Sequence, residues 1–245
     1  MSAEAGPDTS SDLRARAAAV LGRIAAAAVR AGRDAREVTL VAVTKTHPAS
    51  LVREAVGAGL REFGENRVQE AESKAEELGR SDAPVRWHLI GRLQANKARR
   101  AARLFDLIHS VDSAALAERL ERVCAEEGRE RLDVLVQVDL AREATKGGAR
   151  EDELPAIVET LKACERLRLK GLMTLPPFYE DPELARPYFR RLRELRDELR
   201  DAGAFGGGAG ELSMGMSHDY EVALEEGATV VRVGTALFGE RGRAA

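Results

Sequence analysis

Short runs of Val, Leu, Ile and Ala recur along the chain. Each is followed by a longer stretch in which apolar residues return at helical spacing among charged ones. The runs at residues 40–43, 61–64, 86–90, 107–110, 134–138, 169–174, 211–214 and 230–233 read as strands. They are closer to continuous than to alternating, the pattern of parallel strands covered on both faces. The intervening segments at 50–58, 68–78, 94–104, 114–127, 151–165, 182–201 and 218–226 read as helices, and an alanine-rich segment at 13–29 predicts one more helix before the first strand.

Local punctuation supports these boundaries. Asp181 ahead of Pro182 is a capping residue followed by proline at the first helical position, and Ser113 is placed to cap the next helix. Gly59, Gly79, Gly128 and Gly227 fall just past helix ends, where a left-handed residue is wanted. Eight strands alternating with helices over 245 residues have the size and rhythm of an α/β protein built as a single parallel (β/α)8 barrel. A doubly wound open sheet is the alternative, but no G-x-G-x-x-G turn follows the first strand. Residues 1–10 are expected to form a disordered tail and residues 11–245 one domain.

Composition narrows the function classes. A net charge of -3 lacks the basic excess of a general nucleic-acid binder. No apolar run is long enough to span a membrane, and the polar start predicts no signal peptide. The two cysteines, Cys124 and Cys164, lie in helical segments and suggest neither a disulfide framework nor a metal cluster, so a reducing cytoplasmic setting is expected. Lys97, Arg99, Arg100 and Arg103 form a local basic patch, by default a solvated helix face.

In a barrel the chemistry sits where strands end, and phosphate often binds the loops after the last two. Lys45 follows the first run, Leu40-Val41-Ala42-Val43-Thr44. On position alone it is either a lysine emerging into solvent or a partly desolvated amine able to form a Schiff base. Ser213-Met214-Gly215-Met216-Ser217 and Arg232-Val233-Gly234-Thr235 end the seventh and eighth strands. Their small residues and hydroxyls suit a phosphate. Asp219 and Glu221, just beyond, would repel one, and Ser217 reads equally as an ordinary helix cap. His88 reads as a packed barrel residue, His47 before Pro48 as a turn residue, and His109 and His218 show no metal-ligand spacing.

A Schiff-base lysine facing a phosphate cradle suggests pyridoxal 5'-phosphate. The segments Val43-Thr44-Lys45-Thr46, Phe63-Gly64-Glu65-Asn66, Trp87-His88-Leu89-Ile90-Gly91-Arg92-Leu93-Gln94-Ala95-Asn96-Lys97, Gly171-Leu172-Met173, Leu212-Ser213-Met214-Gly215-Met216-Ser217 and Val231-Arg232-Val233-Gly234-Thr235-Ala236-Leu237-Phe238-Gly239 resemble the pyridoxal phosphate homeostasis proteins, which are related to the N-terminal barrel of alanine racemase. The resemblance implies a fold-type III cofactor barrel with Lys45 in aldimine linkage, the phosphate near Ser217, Gly234 and Thr235, and Arg232 facing the pyridine nitrogen. Asn66, Ile90 and Met214 would line the cofactor's surroundings. Lys146, in the loop after the fifth strand, matches a family lysine near the barrel mouth, although Asp139 and Thr145 depart from the Asn and Ser more usual in that loop.

The resemblance implies a carrier that buffers or delivers pyridoxal 5'-phosphate, with B6 vitamers and apo-enzymes that need the cofactor as partners. An amino-acid racemase is the alternative. The chain stops soon after Phe238-Gly239, so the second domain that supplies a racemase's opposing acid–base tyrosine is expected to be missing, and a monomer is expected. An arginine beside the pyridine nitrogen also weakens the ring as an electron sink, though the related racemases use one too. A nucleic-acid or protein scaffold would rest on the basic patch alone.

Overall fold

The computed structural model describes residues 9–79, 84–142 and 147–239. The chain opens with α1 (Thr9–Arg30) and then alternates β1 (Thr39–Val43), α2 (Ala49–Gly57), β2 (Glu62–Glu65), α3 (Val68–Leu78), β3 (Arg86–Leu89), α4 (Ala98–Leu104), β4 (Leu107–Val111), α5 (Ala114–Glu126), β5 (Leu132–Gln137), α6 (Leu154–Ala163), β6 (Leu167–Met173), α7 (Arg186–Asp201), β7 (Glu211–Met216), α8 (Tyr220–Glu225), β8 (Val230–Val233) and α9 (Thr235–Phe238). The strands pair in chain order, all parallel, and β8 closes on β1 with Val41 opposite Arg232. The barrel expectation holds, and the open sheet is excluded by that closure.

The strand faces divide the interior. Leu40 and Ala42 face outward into an apolar layer shared with the helices. Inside, Leu107, Leu135 and Met173 form a small separate cluster, and Leu175 packs against it. The rest of the buried interior includes polar groups, among them His88, His109, Ser213 and Arg232.

Helix α1 buries Leu13, Ala17, Val20, Ile24 and Ala27, one stripe at helical spacing, in the outer layer. Its polar side holds α8 and α9: Arg23 and Arg30 bind Glu221, Arg30 also binds Glu225, and Arg16 donates to the Leu237 carbonyl at 2.6 Å. The helix begins at Thr9, so two residues expected in the tail are helical; residues 1–8 lie outside the described residues.

Most predicted caps form. Ser113 accepts from Leu116 N–H, Asp181 accepts from Glu183 N–H, and Gly59, Gly79, Gly128 and Gly227 all have positive φ. Four helices start later than the pattern suggested, α6 at Leu154 after a turn over residues 151–153. α4 and α7 are each preceded by a short 3-10 turn, at Ala95–Lys97 and Pro182–Ala185. α8 starts at Tyr220 because Asp219 adopts a non-helical conformation and turns its carboxylate back to Met216 N–H at 2.6 Å.

The three arginines of the basic patch, all on α4, are paired. Arg99 pairs with Glu126 and Glu127, Arg103 with Glu127, and Arg100 with Glu72, so a solvated helix face suffices to explain it. Among the described residues no three or more His, Cys, Asp or Glu side chains could hold a metal ion, Cys124 and Cys164 are free thiols, and no helix is long and apolar enough to cross a membrane.

Candidate functional site

A cavity of about 560 Å³ opens at the C-terminal ends of the strands. Seven of the eight expected site residues line it: Lys45 after β1, Asn66 after β2, Ile90 after β3, Ser217 after β7, Arg232 on β8, and Gly234 and Thr235 beyond β8.

The eighth, Met214, does not. It is fully buried in the outer layer, and Met216 lines the cavity instead. The reason is a break in alternation. Ser213 pairs with Val230 and Met216 with Arg232, so β7 spends one more residue than β8 over this stretch. Ser213 and Met216 then both face inward, and Met214 faces out.

Lys45 sits in a turn that is held from below. Thr44 donates its hydroxyl to Glu65 at 2.6 Å and accepts at its carbonyl from Lys74 Nζ at 2.6 Å. Thr46 has φ of 67°, a left-handed conformation that is costly for a β-branched residue. Its N–H is tied to Glu70 Oε1, which also accepts from Lys74 at 2.7 Å. Lys74 therefore lies between Glu70 and the fully buried Glu65, 2.6 Å away. Burial pushes the Glu65 carboxyl up, against the opposing hydrogen bonds from Lys74 and Thr44. Burial acts upward on Glu70 too, but the hydrogen bonds from Lys74 and Thr46 outweigh it and the net shift is downward.

Asn66 is placed by Gly91. A Cβ on Gly91 would lie 2.3 Å from the Asn66 carbonyl oxygen, so only glycine lets the loops after β2 and β3 approach.

Across the cavity, Ser217 does not cap its own helix. Its oxygen accepts from Gly234 N–H at 3.1 Å and Ala236 N–H at 3.3 Å, in the loop after β8. The loops thus already cradle an oxygen, with the serine O–H left to donate. The acidic neighbours expected to oppose an anion behave differently from each other. Glu221 points away and pairs with Arg23 and Arg30. Asp219 remains on the cavity wall, bound to Met216 N–H, and burial pushes its carboxyl up.

Arg232 is only 3% exposed. Nη1 donates to Ser213 Oγ at 2.5 Å and Nη2 to the Thr174 carbonyl at 2.9 Å. Burial lowers its guanidinium to about 10, with Asp219 acting the other way, so it stays charged at neutral pH.

Several wall residues were not anticipated. Gln137 ends β5 and donates to the Gly147 carbonyl, bringing the following loop to the mouth. Lys146 lies outside the described residues. Phe178, 73% exposed, stands against His218 with ring centres 5.2 Å apart. An aromatic after Pro176-Pro177 in the loop beyond β6 was the available signal, since that loop must also emerge at this end of the barrel.

Residues 20–242 match the family model described as alanine racemase, N-terminal domain. A protein of Aquifex aeolicus named pyridoxal phosphate homeostasis protein is 46% identical over 222 residues, covering 91% of this chain and 95% of that one. One of the same name from Pseudomonas aeruginosa is 47% identical over 224 residues, covering 91% and 94%. The chain belongs to the pyridoxal phosphate homeostasis protein family.

Solved structures agree with this placement. PipY of Synechococcus elongatus with PLP bound matches at TM-score 0.77 and 43% identity, covering 90% of this chain and 100% of that one. The same protein without PLP matches at TM-score 0.78 and 44% identity, covering 83% and 94%. Alanine racemase of Clostridium difficile matches at TM-score 0.71 but 16% identity, covering 95% of this chain and 57% of that one, a likeness of fold alone.

Proposed function

We propose that the protein binds pyridoxal 5'-phosphate and holds it in reserve, buffering or delivering it to apo-enzymes in the cytoplasm, as a monomer and without efficient turnover of its own. One observation carries this reading: a single cavity of about 560 Å³ sets Lys45 on a braced turn against an oxygen-binding cradle at Ser217, Gly234 and Ala236, with Thr235 on the wall beside it. That size lies within the range of small-molecule sites. The kinship with proteins named for pyridoxal phosphate homeostasis, and with PipY, seen with PLP bound, supports it.

The residues fit the group. The Lys45 amine would hold the cofactor covalently through its aldehyde carbon. Ser217 and Thr235 would donate hydroxyls to the phosphate while the backbone N–H groups of the cradle turn toward it. Arg232, held charged, would meet the ring nitrogen and keep it from taking a proton. Asn66 and Ile90 would bound the ring, and Met214, behind β7, would act only through packing. When bound, the cofactor supplies an electron sink for amino-acid chemistry.

Two titratable groups of the described wall are already engaged in bonds of their own. Racemisation needs proton removal on one face and delivery on the other by positioned groups. Lys45 can serve one face. Asp219 is committed to Met216 N–H, and His218 Nε2 to the Glu180 carbonyl at 2.9 Å.

Titration of the apo-protein with pyridoxal phosphate and with pyridoxal tests the reading. Charge-assisted hydrogen bonds contribute about 1.5–3 kcal/mol each, so the phosphorylated form is expected to bind at least tenfold tighter. Ser217→Ala and Thr235→Val should shrink that ratio; equal affinities for the two vitamers contradict the cradle. Turnover of any amino acid at about one per second or faster, a normal enzymatic rate, contradicts the carrier role.

A further inference from the structure

A chain of buried polar groups crosses the barrel below the cavity. Starting from Arg232 on β8, Nη1 reaches Ser213 Oγ on β7 at 2.5 Å, and Ser213 Oγ lies 2.8 Å from His109 Nδ1 on β4. His109 Nε2 lies 2.9 Å from His88 Nδ1 on β3, and His88 Nε2 lies 2.6 Å from Glu62 Oε2 on β2. His88, His109, Ser213 and Arg232 are all nearly or wholly buried. Only Glu62, which also meets Arg86 at 3.3 Å, reaches toward solvent.

The direction of each bond follows from the chemistry. An arginine can only donate, so Ser213 Oγ accepts from Arg232. Glu62 is held below the usual carboxylate range: burial acts upward, but the hydrogen bond from His88 prevails. As a carboxylate it can only accept, so the proton on that link belongs to His88 Nε2. His109 is wholly buried, and desolvation, with His88 and Arg232 nearby, holds it well below its ordinary value. It is therefore neutral and carries one N–H. If that proton sits on Nε2, it goes to His88 Nδ1, and His109 Nδ1 accepts the Ser213 hydroxyl. Every donor then meets one acceptor. If it sits on Nδ1, Ser213 faces two donors at once, and its own proton must leave the chain for another partner.

We infer that His109 and Ser213 are positioning residues for Arg232: a one-way hydrogen-bond chain, running Arg232, Ser213, His109, His88, Glu62, locks the serine as an acceptor and so fixes how the guanidinium faces the cavity. Its consequence for the cofactor rests on the function proposed above. With the serine locked, Arg232 keeps its charge and orientation toward the ring nitrogen whether or not anything is bound.

Two measurements test this. The chain contains four histidines, so their tautomers can be assigned by long-range proton–nitrogen NMR on the ligand-free protein. The chain requires His109 and His88 each to carry a proton on Nε2 and none on Nδ1 at about pH 7.5. A proton on Nδ1 of either ring, or an imidazolium, overturns the inference. The second measurement compares His109→Asn with His109→Leu. The asparagine Oδ1 stands in for Nδ1 and still accepts from Ser213, whereas leucine cannot. His109→Leu should weaken pyridoxal phosphate about tenfold, the loss of one charge-assisted hydrogen bond, and shift the absorption maximum of the bound cofactor. His109→Asn should stay close to the parent in both. Identical behaviour of the two variants overturns the positioning role. If the leucine variant does not fold, Ser213→Ala replaces it, with the same expectation. A protein that takes up no cofactor at all contradicts the proposed function, and the tautomer measurement still decides the chain.

Discussion

Behind Lys45 the barrel buries an ion cluster, and behind Arg232 it buries a file of hydroxyl and imidazole groups joined by hydrogen bonds. The first consists of Lys74 between Glu65 and Glu70, with side chains 5%, 0% and 25% exposed. The second runs through Ser213 and two histidines before it reaches a charge at Glu62. The tasks differ accordingly. Thr46 is held in an unfavourable left-handed conformation, and holding strain needs strong, charge-assisted bonds. Arg232 is not strained but has one orientation to keep, and the Ser213 hydroxyl with the neutral His109 behind it supplies direction without bringing a second charge beside the guanidinium. The same barrel thus supports the turn at Lys45 and the Arg232 guanidinium by different physics.

The largest effect should come from the ion cluster. Lys74→Met leaves Glu65 buried without its cation, and breaking a buried pair this way costs about 3–5 kcal/mol. Chemical denaturation checks it. Adding Glu65→Leu to Lys74→Met should recover part of the loss, because the stranded carboxylate is gone. A double variant less stable than Lys74→Met alone would mean that the cluster is not acting as a charge pair.

The buried chain should instead show itself as a pH slope. His109 is depressed in the folded state, so the unfolded chain binds the extra proton first. Stability from the neutral ring is fully present above the unfolded value near 6.5 and is lost as pH falls below it, by up to about 1.4 kcal/mol per pH unit. Comparing the protein with His109→Asn across pH 5 to 7 isolates this slope, which the variant should lack. Equal slopes would place a charged His109 in the folded protein.

The smallest effect concerns Thr46. Thr46→Gly removes a left-handed penalty of about 1–2 kcal/mol but adds unfolded-chain freedom worth about 0.4–1 kcal/mol. A net stabilisation of a few tenths of a kcal/mol is expected in thermal melts. A clear loss of stability would show that the turn is not strained.

How much of this was legible in the sequence depended on locality. The barrel followed from eight apolar runs, and Lys45, Arg232, Gly234 and Thr235 stood at strand ends within short motifs. Met214 misled because the extra residue in β7 breaks strict alternation, and that break exists only relative to β8. The ion cluster was hidden because Glu70 and Lys74, four residues apart on α3, look like an ordinary surface pair. Only the packing of α3 beneath the β1 turn makes them internal. His88 was read as packing, and it is packed. Its link to His109 only crosses to the neighbouring strand β4, but the next link, to Ser213 on β7, spans 104 residues and exists only across the interior of the closed barrel.

The central claim is that Lys45 and the cradle across from it hold one cofactor. Borohydride reduction of the protein loaded with pyridoxal phosphate, followed by peptide mapping, tests it most directly. A single stable pyridoxyl adduct is expected on Lys45, absent in Lys45→Ala. An adduct on another lysine, such as Lys146 or Lys97, with Lys45 unmodified would contradict it.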